Sequence, residues 1–517
     1  MVEENTIQPQ HPSLEAESPI KKPKDLHHKE PRSACPCDDA TKAETGSIMT
    51  NNLGDQVVLS NEDTINYRTC SWQKTAALLF SEYICIAIMS FPWSYSVLGL
   101  IPGILLTLTI AMIVLYTSLT IWCVVYCLKD QFFKLLSKTC RKFCLRHPEV
   151  RDVCDISKIL FFDSNIVWYI AAAMFLLNNT FIQALHCLVG AEYLNTVAGH
   201  PFCTVALAFI TAIVSFLCSL PRTFGTLSKI GTFSAIATFI SILLAIIFAG
   251  IQDNPFGWNE AKGDPVIRNF PAPDTTFVQG MSAFLNISFT FIGQITIPSF
   301  IAEMKQPEDF WKSVAAVTVA EIILFTVVGA LIYVFVGNQY MTSPAFASLG
   351  NDIHMKVAFS FMLPTLIFLG VLYASVSARF IFFRIFEGTR HKANHTVVGW
   401  ASWAGILLSL WIVAWIISEV IPFFTNLLSI MSAIFGSYFG FILWGFAWIR
   451  MRQIDHPNLM KRQSIRHWAE LVLNILIICI GLLFLMPGTY ASVQSVIDSY
   501  NSGGFGSAFS CASNGLH

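Results

Sequence analysis

The chain has 517 residues, 54% of them hydrophobic and only 13% charged, with a mean hydropathy of +0.58 and a net charge of −1. A soluble protein carries roughly a quarter of its residues as charges; here charges are missing from long stretches, the mark of a multi-pass membrane protein. The near-neutral balance excludes a nucleic-acid footprint, and no polar interval has room for a soluble catalytic domain, the longest inside the apolar region being Lys129 to Lys158.

Residues 1–70 are polar, with scattered Lys, Asp, Glu, Ser and Pro. Without periodicity or enough apolar content for a core, they are expected to form a disordered cytoplasmic tail. The first apolar run begins near Lys74, too late for a cleavable signal peptide, so none is expected. A helix needs about 20 apolar residues to cross about 30 Å of hydrocarbon. Eleven segments qualify: 74–98, 101–127, 159–189, 202–220, 227–251, 277–301, 313–336, 357–384, 397–418, 422–449 and 469–488. The division between the first two rests on Gly99–Gly103 with Pro102, a tight turn. The expected organisation is an all-α transmembrane region over 71–488, followed by a short extracytoplasmic tail, 489–517.

With the N-terminus placed in the cytoplasm, all of the 32 Lys and Arg except Lys262, Arg268 and Lys356 fall on the inner side. A wrong span count would scramble that split, so it predicts eleven spans, an inside N-terminus and an outside C-terminus. The plasma membrane is the expected residence ahead of the vacuolar membrane. The sequons at Asn178, Asn286 and Asn394 fall in spans or on the inner side and are not expected to be glycosylated. Half of the 14 cysteines lie in the expected spans, where Cys acts as a small hydrophobe. The pairs Cys35/Cys37 and Cys140/Cys144 lack an accompanying His pattern, and no metal is expected. Cys187 and Cys203 flank the outer loop between the third and fourth spans, with Cys511 on the outer tail; a disulfide there and unpaired thiols both fit.

Two spans are interrupted. The first contains Ile88-Met89-Ser90-Phe91-Pro92; the sixth contains Thr290-Phe291-Ile292-Gly293-Gln294, followed by Pro298. Each is the first helix of a five-span half, the pattern that points to a midplane substrate site in transporters built from repeats. A restart near Pro92 would expose amides around Ser90 and Phe91 to an anion such as a carboxylate. The interrupted sixth span would offer carbonyls to an ammonium, together with the Thr290 hydroxyl and the Gln294 amide. The candidate substrate residues are Ala87, Ile88, Met89, Ser90, Phe91, Phe289, Thr290, Phe291, Gly293 and Gln294. Few ionisable residues lie inside the spans: Glu82, His186 and Glu321, with Asp163 and Glu470 near the ends. Glu82 and Glu321 each sit about 12 Å in from the inner helix start at 1.5 Å per residue, and a buried carboxylate can carry a proton. His186 is expected at the outer interface. A sodium site would want adjacent hydroxyls on the eighth span; Ser375 and Ser377 point about 200° apart on a helix, which favours protons, with Ser375 kept as a candidate coupling residue.

The run Ser81-Glu82-Tyr83 through Ser90-Phe91-Pro92 resembles the opening helix of the amino-acid/auxin permease family. Residues 291–310, from Phe291-Ile292-Gly293-Gln294 through Ile297-Pro298-Ser299-Phe300-Ile301-Ala302-Glu303-Met304-Lys305-Gln306-Pro307-Glu308-Asp309-Phe310, resemble its sixth-helix signature. The likeness, extending over about 70–488, is nearest to the fungal neutral amino acid permeases. It implies the five-plus-five inverted-repeat fold shared with LeuT, plus one extra helix, and proton-coupled symport of neutral amino acids. Many members carry a G-x-G run ahead of the first-helix proline; here those positions read Cys85-Ile86-Ala87, and a side chain at Ala87 would crowd a bound α-amino-acid backbone. The expected partners are an amino acid, a proton and membrane lipid; no cofactor is expected, and the sequence defines no oligomeric state. The alternative is a non-transporting amino acid sensor on the same scaffold, signalling through its long tail. An enzyme is not expected, since no nucleophile–base pair or metal cluster stands at useful spacing.

Overall fold

The computed structural model describes residues 49–50, 56–57, 70–125, 152–200, 202–222, 224–455, 465–501 and 508–516. The expected tail 1–70, the basic interval Lys129–Lys158 and the cysteine pairs Cys35/Cys37 and Cys140/Cys144 lie wholly or largely outside them. Contacts divide the chain into Met1–Val58 and Leu59–His517. Within the first unit, β1 (Met49–Thr50) pairs antiparallel with β2 (Gln56–Val57), Met49 opposite Val57.

The second unit is built of helices. α1 (Trp72–Tyr83) opens on Ser71, whose hydroxyl accepts from the Lys74 amide. The helix ends at Ile84, continues as a 3₁₀ turn over Ile86–Ser90 and restarts as α2 (Phe91–Leu98). Pro92 stands in the first turn of α2, where a missing N–H costs nothing. Gly99, at φ +84°, reverses the chain, and a Cβ there would stand 2.5 Å from the Phe270 Cα. Next come α3 (Leu100–Val125), α4 (Val153–Leu160), α5 (Asn165–Ala198), α6 (Thr204–Ser219) and α7 (Phe224–Ile251). α8 (Phe277–Phe291) starts on a Thr276–Gln279 capping box, and after a break α9 (Ile297–Glu303) restarts with Pro298 in its first turn. α10 (Phe310–Val336), α11 (Asp352–Ile385), the one-turn α12 (Arg390–Ala393) and α13 (Val397–Val420) follow. α14 (Phe424–Met431) passes through a π-helical stretch, Ser432–Ile442, into α15 (Leu443–Asp455). α16 (Ile465–Leu483) widens over Phe484–Gly488, at Pro487, into α17 (Thr489–Asn501).

The expected segments overlap these helices with shifted bounds: the third, 159–189, starts in α4 and stops short of the end of α5. Among the described residues nine helices are long and apolar enough to cross a membrane. The two expected segments outside that set are α6, with 16 residues, and the interrupted α8/α9 pair. Leu105, Met112, Ile236, Ile323 and Leu476 are all more than half exposed, an apolar belt suited to lipid rather than water.

The interior is held by small hydroxyls and aromatic rings. Ser81 of α1 bonds Ser234 of α7 (2.9 Å), Ser234 bonds Thr365 of α11 (2.8 Å), and the Ser241 hydroxyl donates to the Ala358 carbonyl (2.6 Å). Such short polar side chains let helix backbones approach closely and tie them together without water. Tyr95 of α2 lies where Cβ atoms at Gly103 of α3 and Gly329 of α10 would collide with it, and its hydroxyl bonds Thr107 (2.8 Å).

The C-terminal segment returns to the ends of α5 and α6. Cys203 is disulfide-bonded to Cys511, the Asn195 amide donates to the Asn514 Oδ1 (2.6 Å), and the Thr204 hydroxyl donates to the Ala512 carbonyl (2.6 Å). Of the pairings left open among Cys187, Cys203 and Cys511, the structure therefore forms Cys203–Cys511. Cys187 takes no part because α5 runs on to Ala198, which buries it inside the bundle. Non-reducing peptide mapping should recover the Cys203 and Cys511 peptides as one linked species, with the Cys187 thiol alkylated only after unfolding. Separate alkylated peptides for Cys203 and Cys511 would contradict the docked tail.

Candidate functional site

The site begins where α1 stops. Ile84 leaves helical geometry and Cys85 is extended, so the interruption falls at Ile84–Cys85, ahead of the stretch around Pro92 that the sequence suggested. The amide expected to be open at Phe91 donates to the Ile88 carbonyl, and the Ser90 hydroxyl donates to the Ala87 carbonyl. Amides lacking an acceptor three residues back belong instead to the start of the 3₁₀ turn, at Cys85–Ala87.

Glu82, in the last turn of α1, is 4% exposed. Its Oε1 accepts from the Thr296 hydroxyl (2.6 Å) and the Tyr373 hydroxyl (2.7 Å), while Oε2 is buried without a partner. Thr296 stands immediately before α9 and Tyr373 lies on α11, so one carboxylate joins the ends of both interrupted spans to a third helix. The Thr296 hydroxyl also stands 2.8 Å from the Gly293 carbonyl. It has one hydrogen for two acceptors.

Beside Glu82 lies a small cavity. The first break supplies Glu82, Tyr83 and Cys85; the sixth-span break supplies Phe289, Thr290 and Ile292; His186 of α5 and Tyr373 of α11 close its sides. Of the candidate substrate residues, Phe289 and Thr290 line this cavity. Ala87, Ile88, Met89, Ser90, Phe91, Phe291, Gly293 and Gln294 are buried and do not line it. Phe91 and Phe291 pack on Phe325, ring centroids 4.8 and 4.9 Å from it. The Gln294 amide donates to the Thr117 hydroxyl of α3 (3.0 Å). Gly293 makes room for Tyr83: a Cβ there would stand 1.7 Å from the ring. Ile292 lies against Gly436 and Gly440 of the π-helical stretch, whose Cβ positions would be 2.7 and 3.1 Å from its side chain.

Glu321 is buried in α10, which packs on α1, and its Oε1 has no partner. On α11, Ser375 is buried and unpartnered, whereas Ser377 accepts from the Asn179 amide (3.0 Å). The two serines thus have different surroundings, as their helical spacing requires. Toward the end of α9, Glu303 forms an ion pair with Arg379 of α11, and the backbone of Cys70 bridges to Glu303 and Lys305.

Sequence reasoning missed Tyr83, Thr296 and Tyr373. Thr296 lay within the sixth-span signature and Tyr83 beside Glu82, but a search for charges and breaks gave neither any weight. It also placed His186 at an interface, whereas the extension of α5 to Ala198 puts it mid-helix, 3% exposed. Glu192 and Glu419 fell just beyond the expected span ends, and both are buried.

The family model described as "Transmembrane amino acid transporter protein" matches residues 68–494. The chain belongs to this transmembrane amino acid transporter family. It is a multi-pass integral membrane protein and a transporter by family, not an enzyme. Among its relatives is the N amino acid transport system protein of Neurospora crassa, 27% identical over 93% of this chain and 97% of that protein. A transmembrane transporter of Gibberella moniliformis is 26% identical over 91% of this chain and 93% of its own length. The human vesicular inhibitory amino acid transporter is 20% identical over 59% of this chain and 55% of its own. A solved structure of Mhp1, a nucleobase-cation-symport-1 family transporter in a closed conformation with bromovinylhydantoin bound, aligns with 86% of this chain and 95% of its own at 13% identity and a TM-score of 0.45.

The Gly293–Tyr83 contact gives this transporter a sharp test. Gly293→Ala must displace the Tyr83 ring from the cavity wall, and overpacking of this kind costs about 1–3 kcal/mol. Uptake should fall at least about tenfold with normal delivery to the membrane, a drop within that energy range. Unchanged uptake by Gly293→Ala would show that the Tyr83 packing is irrelevant to transport.

Proposed function

We propose that the chain is a proton-coupled symporter of neutral amino acids working by alternating access, on a LeuT-type five-plus-five inverted repeat with one additional helix. The observation that carries this is the shared hydrogen of Thr296. With Glu82 ionised, the Thr296 hydroxyl donates to Oε1 and leaves the Gly293 carbonyl lone pairs less occupied. With a proton on Oε1, Glu82 donates to Thr296, and Thr296 is then bound to donate to Gly293. Protonation of one carboxylate thereby changes the hydrogen bonding of the sixth-span break. Glu321, on the helix packed against α1, is the second carboxylate in this scheme, and Ser375 is an unused hydroxyl nearby on α11.

The substrate is proposed to lie between the breaks. Its α-carboxylate goes to the amides at the start of the 3₁₀ turn, favoured by the helix start, and its α-ammonium to carbonyls around Phe289–Gly293. The residues from Ala87 to Phe91 and from Phe289 to Gln294 form the walls and their backing. No Lys or Arg lines the cavity, and Oε1 of its one carboxylate is engaged by two hydroxyls. A charged side chain would be buried unpaired at a cost of several kcal/mol, so neutral amino acids are the fitting class. The Neurospora relative, named for amino acid transport and matched over almost its whole length, supports the same reading.

The proposed orientation has the N-terminus in the cytoplasm and the C-terminus outside, at the plasma membrane. Its support is the one-sided distribution of Lys and Arg, and the Cys203–Cys511 disulfide agrees with it, since disulfides persist outside the cytoplasm.

In reconstituted vesicles, an imposed pH gradient should drive accumulation of a radiolabelled neutral amino acid, and replacing sodium with choline should change nothing. A strict sodium requirement would refute proton coupling. Specific binding without accumulation under any gradient would favour the sensor.

A further inference from the structure

Among the polar side chains lining the cavity, His186 has no part in the mechanism above. His186 lies mid-way along α5, is 3% exposed and lines the cavity opposite the two breaks. Its Nδ1 stands 2.7 Å from the Ile182 carbonyl, one turn earlier on the same helix. A carbonyl oxygen only accepts, so Nδ1 carries the hydrogen, and the neutral ring presents Nε2 as a bare acceptor. That Nε2 is buried and has no partner.

Of the other polar groups around the cavity, the Tyr83 hydroxyl and the Cys85 thiol stand beyond hydrogen-bonding distance of Nε2, and two hydroxyls are already committed. The Tyr373 hydroxyl gives its hydrogen to Glu82, and the Thr290 hydroxyl gives its own to the Asn286 carbonyl (3.2 Å). A buried acceptor without a donor is costly, and a ligand that brings a donor removes that cost. The substrate's two α-groups are taken up by the two breaks, so the donor left for His186 comes from the substrate's side chain.

We infer that His186 is a specificity residue whose Nε2 accepts a hydrogen bond from the side chain of the substrate, so that the site prefers neutral amino acids bearing an amide or hydroxyl over aliphatic ones of the same shape. This rests on the substrate placement proposed above. Asparagine and leucine make the sharpest pair: similar in size, they differ in the donor. Where a site is built to bond a polar group, the analogue lacking it is rejected far more strongly than a missing methylene in an apolar pocket would be.

The test is ligand-induced thermal stabilisation of the purified full-length protein, which reads binding whether or not the protein transports. The wild type should need at least about tenfold less asparagine than leucine for the same shift, on the asymmetry of polar and apolar recognition. His186→Phe should lose that preference or reverse it while still responding to leucine. His186→Gln, which restores an acceptor, should regain part of it. Equal or better binding of leucine by the wild type would overturn the role given to His186 and leave the substrate placement standing, and so would an unaltered preference in a stably folded His186→Phe. Stabilisation by neither amino acid would overturn the placement and the inference together.

Discussion

The Glu82 carboxylate holds three pieces of the molecule in one arrangement. It sits at the last turn of α1 and accepts from Thr296, at the start of α9, and from Tyr373, on α11. Helix interruptions leave backbone groups unpaired in a setting where water is scarce, so a span can break only where neighbouring protein meets the demand. Here the two breaks face each other and are bridged by this single side chain. Removing Glu82 would leave the Tyr373 hydroxyl without its acceptor and leave Thr296 only the Gly293 carbonyl.

The packing around the bridge is permissive because it uses small residues at the contacts. Gly293 admits the Tyr83 ring, and Gly436 and Gly440 admit Ile292, so the sixth-span break is wedged between α1 and the π-helical stretch by its own backbone. Behind it, Phe91, Phe291 and Phe325 make an aromatic block that fixes the restart of the first span. π-helical turns are frequent at functional sites. The Ser432–Ile442 stretch contacts Ile292 directly, which sets one against the break.

Much of the fold was legible in the sequence, because hydrophobic length is a direct physical requirement of the bilayer. The Gly99 turn, both interruptions and the burial of Glu82 and Glu321 were all readable. Local chemistry was less so. Pro92 drew the break toward itself, although a proline in the first turn of a helix is no disruption; the chain departs from helix at Ile84–Cys85, where no Gly or Pro marks it. Tyr373 and Thr296 are ordinary residues until α11 and α9 bring them to Glu82 across long sequence separations. The end of α5 was set too early because polar residues such as Glu192 and Asn195 follow the apolar run, and that put His186 near the outer end of its span instead of well inside the helix. The partner of Cys203 likewise depended on a tail whose path no local pattern records.

The central claim is that Glu82 couples proton movement to the two breaks. The most direct measurement compares counterflow exchange with gradient-driven accumulation in vesicles containing Glu82→Gln, an isosteric change that keeps an acceptor for Thr296 and Tyr373 but cannot ionise. Exchange of labelled for unlabelled amino acid should continue, while accumulation under a pH gradient should disappear. Accumulation at the wild-type level, with unchanged pH dependence, would contradict the account.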